Sequence, residues 1–149
     1  MGAVRITGGE KFQAAMMALA EKVRSPRTLR VGFLEGAKYP DGTPVAMVAV
    51  IQNYGAPRAG IPPRPFFSNV VAEKSEEWPG AIAGLLKTTN FDIDKTLAMT
   101  GEAIKGQIQN EIFNGSFTPL APATVKRKGF DKPLVYTGHM ASSVDYEIV

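Results

Sequence analysis

Between Asn90 and Gly115, the apolar residues Ile93, Leu97, Ile104, Ile108 and Ile112 fall at helical spacing, and Gly101 fills the one gap in the series. A strand would need alternation with a period of two, so this stripe dictates a long helix, expected over about Asp92 to Phe113. Asp92 or Asp94 supplies its start, through a side-chain cap and a match to the helix dipole, and Asn114-Gly115 supplies a left-handed stop. Glycine inside a helix costs about 0.5–1 kcal/mol relative to alanine, so Gly101 on the apolar stripe implies that another backbone packs closely there.

The rest of the chain is read around that helix. Phe12, Met16, Leu19 and Val23 share one helical face, giving a first helix over about Gly9 to Arg24, with Thr7 as candidate cap and Ser25-Pro26 as its end. Leu29, Val31 and Phe33 alternate with Arg30 and Gly32, the pattern of a strand with one buried face. Tyr39-Pro40-Asp41-Gly42 reads as a turn. Val45 to Tyr54 suits either a helix or a buried strand, and the helix is favoured by Thr43-Pro44 before it and Gly55 after it. The prolines between Ala56 and Pro65 remove backbone donors and make that stretch a loop. A helix follows from Phe66, with Phe67, Val70, Val71 and Trp78 on one side and Pro79-Gly80 as its kink or break. Thr118 to Pro122 opens another loop, Thr124 to Lys128 suits one helical turn, and Val144 to Val149 alternates as a terminal strand. The expected fold class is α+β, a single domain over 1–149, with a small antiparallel sheet packed by the N-terminal helix and the long central helix.

The composition excludes several kinds of protein. A chain of 149 residues with 44% hydrophobic positions suits one globular domain and is too apolar for wholesale disorder. It has no cysteine, so no disulfide framework, thiolate metal site or cysteine nucleophile can exist. No signal-peptide-like apolar run stands at the N-terminus, and Val45 to Ile51 is too short to cross a bilayer, so a soluble protein is expected. The net charge of +3, from 17 basic and 14 acidic residues, is a mild excess. Its distribution suggests two basic patches, one over residues 1–30 and one at Lys126, Arg127, Lys128 and Lys132, with an acidic stretch at Glu73, Glu76 and Glu77 between them.

Candidate chemistry is sparse. His139 is the only histidine and no H-E-x-x-H surrounds it, so it reads as a tethered or surface side chain. Asp92 with Asp94 reads as a cap and not a metal site. No phosphate-cradling glycine motif occurs, and aromatics do not interleave with the basic clusters as a base-stacking platform requires. Catalytic, metal-binding and cofactor-binding residues are therefore all expected to be absent.

Three proline-punctuated segments stand out by their order. They are Asn53-Tyr54-Gly55 with Ile61-Pro62-Pro63-Arg64-Pro65-Phe66-Phe67, then Pro119-Leu120 through Thr124 to Lys128, then Pro133-Leu134 through Thr137-Gly138 to Ser142-Ser143 and the final strand. With a long helix between the first and second, this order resembles the tailed-bacteriophage virion-morphogenesis or tail-completion (neck) proteins. Met140 stands where leucine is usual in that family, and Tyr136 where an acidic residue often precedes Thr-Gly.

The resemblance covers about Val45 to Val149 and implies an α+β subunit without enzymatic activity, assembling as a hexameric ring at the head-tail junction. Implied partners are copies of itself, neighbouring neck, tail-terminator or tail-tube proteins, and genomic DNA touched non-specifically. The implied location is the virion, after assembly in the host bacterial cytoplasm. Expected interface residues are Arg64, Pro65, Phe66 and Phe67 on the stiff loop, the acidic Glu73, Glu76 and Glu77, and the basic Lys126, Arg127, Lys128 and Lys132. Competing readings are a tail terminator capping the tail tube, an enzyme or enzyme inhibitor built around His139, and a nucleic-acid-binding module.

Overall fold

The isoleucine stripe forms one long helix, and the sheet and core are built against it in the computed structural model, which describes residues 8–122, 126 and 138–149. In chain order the elements are α1 (Gly9–Lys22), β1 (Leu29–Phe33), α2 (Val45–Tyr54), a 3-10 turn (Pro57–Ala59), α3 (Phe66–Lys74), α4 (Trp78–Thr88), α5 (Ile93–Asn114), α6 (His139–Ser142) and β2 (Val144–Ile148). The architecture is α+β, with β1 and β2 as an antiparallel pair in register from Leu29 opposite Ile148 to Phe33 opposite Val144. Thr28 and Val149 extend the ladder by a reciprocal pair of backbone hydrogen bonds at 2.7 and 2.9 Å.

α5 starts as its sequence requires. Asp92 Oδ1 accepts from the Lys95 backbone N–H at 3.0 Å, while Asp94 pairs with Arg27 at 3.1 Å. Its end differs from expectation, because Gly115 has φ −63° and is extended instead of left-handed. Crowding explains the glycine: a Cβ there would strike Glu111 O and the Phe117 ring. The buried face also turns away from the apolar stripe in the first half of the helix. Thr96, Thr100 and Gly101 are buried with Ile104, Ile108 and Ile112, whereas Ile93 and Leu97 are half-buried. The threonines can go inward because each hydroxyl donates to the preceding turn, Thr96 to Asp92 O at 2.7 Å and Thr100 to Thr96 O at 2.8 Å. At Gly101 a close neighbour is present, but it is a ring: an added Cβ would lie 2.6 Å from Tyr146 of β2.

Val45, Phe66 and Val144 are completely buried, and with Ile108 and Ile112 they join α2, α3 and β2 to α5 in one core. Each such side chain removes apolar surface worth about 1.5–3 kcal/mol from water. The Val45–Tyr54 stretch is helical; Pro44 occupies the N-cap position just outside the first turn without a side-chain cap, and Gly55 ends it at φ 75°. A side chain at Gly55 would meet Ile61 O and Pro63 N at 2.8 Å, so glycine is needed there for both handedness and space. The turn at Tyr39 forms as expected, with Gly42 N–H donating to Tyr39 O at 2.9 Å.

Three expectations are corrected. The proline loop holds one short 3-10 turn, stapled by a bridge between Ala56 and Ile61. The helix after Phe66 breaks at residues 75–77, before Pro79 and not at it. A proline ring clashes with the carbonyl four residues earlier and has no N–H to give, so Pro79 is accommodated in the first turn of α4 once the chain has already broken. Finally, α1 forms but buries no residue, so its apolar face does not cover the sheet. Thr7, the Thr137 position and most of the turn expected at Thr124–Lys128 lie outside the described residues.

Candidate assembly surface

Arg64 is only 5% exposed. Its Nε donates to Thr118 O at 3.0 Å, Nη1 to Gln52 Oε1 at 2.9 Å and Nη2 to Pro119 O at 3.4 Å, while its backbone N–H donates to Gln52 O at 2.7 Å. The guanidinium thus ties α2, the proline loop and the chain leaving α5. Burial pulls its pKa down from the ordinary arginine value. A fork occupied in this way is not available to a neighbouring copy. The interface role expected of Arg64 is corrected to an internal one, because the flanking prolines aim the side chain at carbonyls of the same chain.

Pro65 is half-buried at the start of α3. Phe66 is fully buried, edge-on to Phe33 at 6.1 Å, and is a core residue, not an interface one. Phe67 is half-buried and its ring stands at 90° to Phe66. Sequence reasoning placed Asn53 in the first proline-punctuated segment without giving it a role, and passed over Gln52. Proline at the α3 cap position offers no side-chain acceptor, and Asn53 replaces it from α2: its Oδ1 accepts from the N–H groups of Phe67 at 3.0 Å and Ser68 at 3.1 Å, and its Nδ2 donates to Ser68 Oγ at 2.7 Å. The signal was a polar pair, Gln52-Asn53, inside an otherwise apolar helix.

The charged candidates are spread out. Glu73, Glu76 and Glu77 are exposed around the end of α3, with Lys74 Nζ 3.7 Å from Glu77. Lys126 is exposed; Arg127, Lys128 and Lys132 lie outside the described residues. The N-terminal basic cluster is partly neutralised, since Arg24 pairs with Glu21, Arg27 with Asp94 and Arg30 with Glu147 at 3.1–3.3 Å. His139 is tethered, its Nε2 lying 2.7 Å from Lys38 O and its ring against Tyr39. Among the described residues no group of three acidic or histidine side chains could hold a metal ion, and no helix is long and apolar enough to cross a membrane.

Apolar side chains are exposed on two of the helices. Phe12 is 69% exposed on α1, and Val50 and Tyr54 are 57% and 71% exposed on α2. Two apolar grooves flank Phe67 and share Val31. One, about 310 Å³, runs between the free edge of β1 and α2; the other, about 320 Å³, lies between α3–α4 and α5, with Trp78 and Leu97 in its walls. A polar cleft of about 450 Å³ sits at the α4–α5 corner. There Asn90 and Phe91 take positive φ, and Phe91 N–H donates back to Leu86 O at 2.7 Å, which closes the end of α4.

No protein-family model, curated protein or solved structure matches the chain.

Proposed function

We propose that this chain is a structural subunit of a tailed-bacteriophage virion, a tail-completion or neck protein that forms a hexameric ring at the head-tail junction and works by contact, without catalysis. The observation that carries the reading is the order of the three proline-punctuated segments around one long helix. The first segment and the head of the second are mutually dependent: Gln52 and Asn53 hold Arg64 and the start of α3, Gly55 lets Pro63 approach, and Arg64 grips Thr118 and Pro119. The motif is thereby a frame that holds the faces of the subunit in place. The exposed apolar faces of α1 and α2 support an assembling subunit, since soluble monomers rarely leave large contiguous apolar patches uncovered.

In this reading the partners are copies of the chain and the adjoining neck, tail-terminator or tail-tube proteins. DNA passes through the ring and is touched without sequence preference. The place of action is the virion, after assembly in the bacterial cytoplasm. The test is electron microscopy of particles made without this chain. DNA-filled heads and separate, finished tails are the expected outcome, and normally joined particles overturn the reading.

A further inference from the structure

Two apolar helix faces of this chain are left largely uncovered by the described residues. α1 is 14 residues long and has no fully buried residue, although Phe12, Met16 and Leu19 share one side, the first two exposed and Leu19 half-buried. A helix of that length is marginal in water on its own, so its stability calls for cover. α2 carries no charged residue, yet only Val45, Ala49 and Asn53 are buried. Met47, Val50 and Tyr54 form a second face on it, and this face continues into the groove whose far wall is the edge of β1 that no described residue pairs.

The two faces match. From Phe12 to Ala20, α1 has no charged residue; its charges, Glu10, Lys11, Glu21 and Lys22, stand at its ends. An uncharged helix centre can therefore meet an uncharged helix without stripping any charge of water. Phe12 to Leu19 and Met47 to Tyr54 each span two helical turns, about 10 Å. The helices that carry the two faces are also anchored at different points along α5. α1 ends beside the start of α5, where Lys22 Nζ donates to Asn90 O at 3.3 Å. α2 is held to α3 by Asn53, and α3 to the last turns of α5 by Asn69 Nδ2, which donates to Glu111 Oε1 at 3.2 Å.

We infer that α1 of one copy lies in the β1–α2 groove of the next, with Phe12, Met16 and Leu19 against Met47, Val50 and Tyr54. Each subunit gives one helix and receives one. The contact is heterologous, so its repetition closes a ring when the rotation between copies allows it. The inference rests on the proposed ring and names the surfaces that close it.

The absence of cysteine makes the test direct. Full chains carrying Met16→Cys are mixed with size-tagged full chains carrying Val50→Cys and oxidised with copper phenanthroline. A mixed cross-linked dimer is expected as the main product, absent from either variant alone and from a control mixture of Met16→Cys with Glu76→Cys. In parallel, the Phe12→Asp, Met16→Asp double variant is expected to lose the oligomer in sedimentation velocity while keeping the melting temperature. Oligomers that form without the mixed cross-link overturn the docking and leave the ring reading standing. A chain that stays monomeric and uncross-linked also overturns the docking. Mixed cross-links together with normal head-tail joining in particles lacking the chain uphold the docking and overturn the neck reading.

Discussion

The Arg64 guanidinium donates to the carbonyls of Thr118 and Pro119 and to the Gln52 amide oxygen, and so clamps α2 to the chain leaving α5. Alternating prolines make a loop stiff, and a guanidinium on a stiff loop suggests presentation outward; nothing in the residues 61–67 tells that the carbonyls of Thr118 and Pro119 come to lie beside it. Arg64→Ala would leave two carbonyls and the Gln52 amide oxygen without their donor in a dry place, a loss of about 2–4 kcal/mol. At this chain length that lowers the melting temperature by roughly 5–15 °C, and thermal unfolding followed by circular dichroism checks it. A shift within about 2 °C would return Arg64 to the surface. Asp145 gives a second prediction at this scale. The Tyr146 backbone N–H and the Lys105 ammonium, 3.2 Å away, hold its carboxyl below the ordinary value of 3.8. A depressed carboxylate stabilises the fold above its unfolded pKa, and the contribution is lost as pH falls through the lower folded value. Asp145→Asn should accordingly be slightly less stable than the parent at pH 7, with the gap closing as the pH drops below 3.8, in paired denaturant titrations across that range.

At the scale of elements, legibility followed how local the deciding physics is. α5 could be read almost to the residue, because its spacing, its Asp92 cap and its length all lie in contiguous sequence. The two strands were each visible by alternation, and their pairing follows from there being no other strand among the described residues for either to meet. What sequence could not give was the partner of each face. Thr96 and Thr100 read as polar interruptions but are buried, because the hydroxyls satisfy themselves within the helix. Gly101 pointed to a close-packed backbone, and the neighbour is instead the Tyr146 ring. For α1, periodicity showed a helix with one apolar side, but the cover expected from the sheet does not form, because an apolar stripe does not name what lies against it. This separates two kinds of helix experimentally. Removing residues 1–22 should leave the melting temperature within about 2 °C, since exposed side chains contribute within about 0.5 kcal/mol, whereas Ile108→Ala in α5 should cost about 2–5 kcal/mol. A large loss on truncation would place α1 inside the fold of its own chain.

For the whole molecule, charge and apolar surface point the same way. Three arginines of the N-terminal basic cluster are engaged in ion pairs, and the acidic residues Glu73, Glu76 and Glu77 lie exposed around one corner. A surface of mixed sign suits a subunit that meets its own kind, and a channel that gripped phosphates tightly would stop a genome from sliding. Isolated protein should bind duplex DNA only in the micromolar range or weaker at about 0.15 M salt, with no sequence preference, in an anisotropy titration. Sub-micromolar, sequence-selective binding would favour the nucleic-acid module instead. The central claim is that the uncovered apolar faces are covered by further copies in a closed ring, and native mass spectrometry of the purified full-length chain over a range of concentrations tests it most directly. A single closed oligomer, six copies, is the expected result; a monomer at every concentration, or an open series of ever larger species, would contradict it.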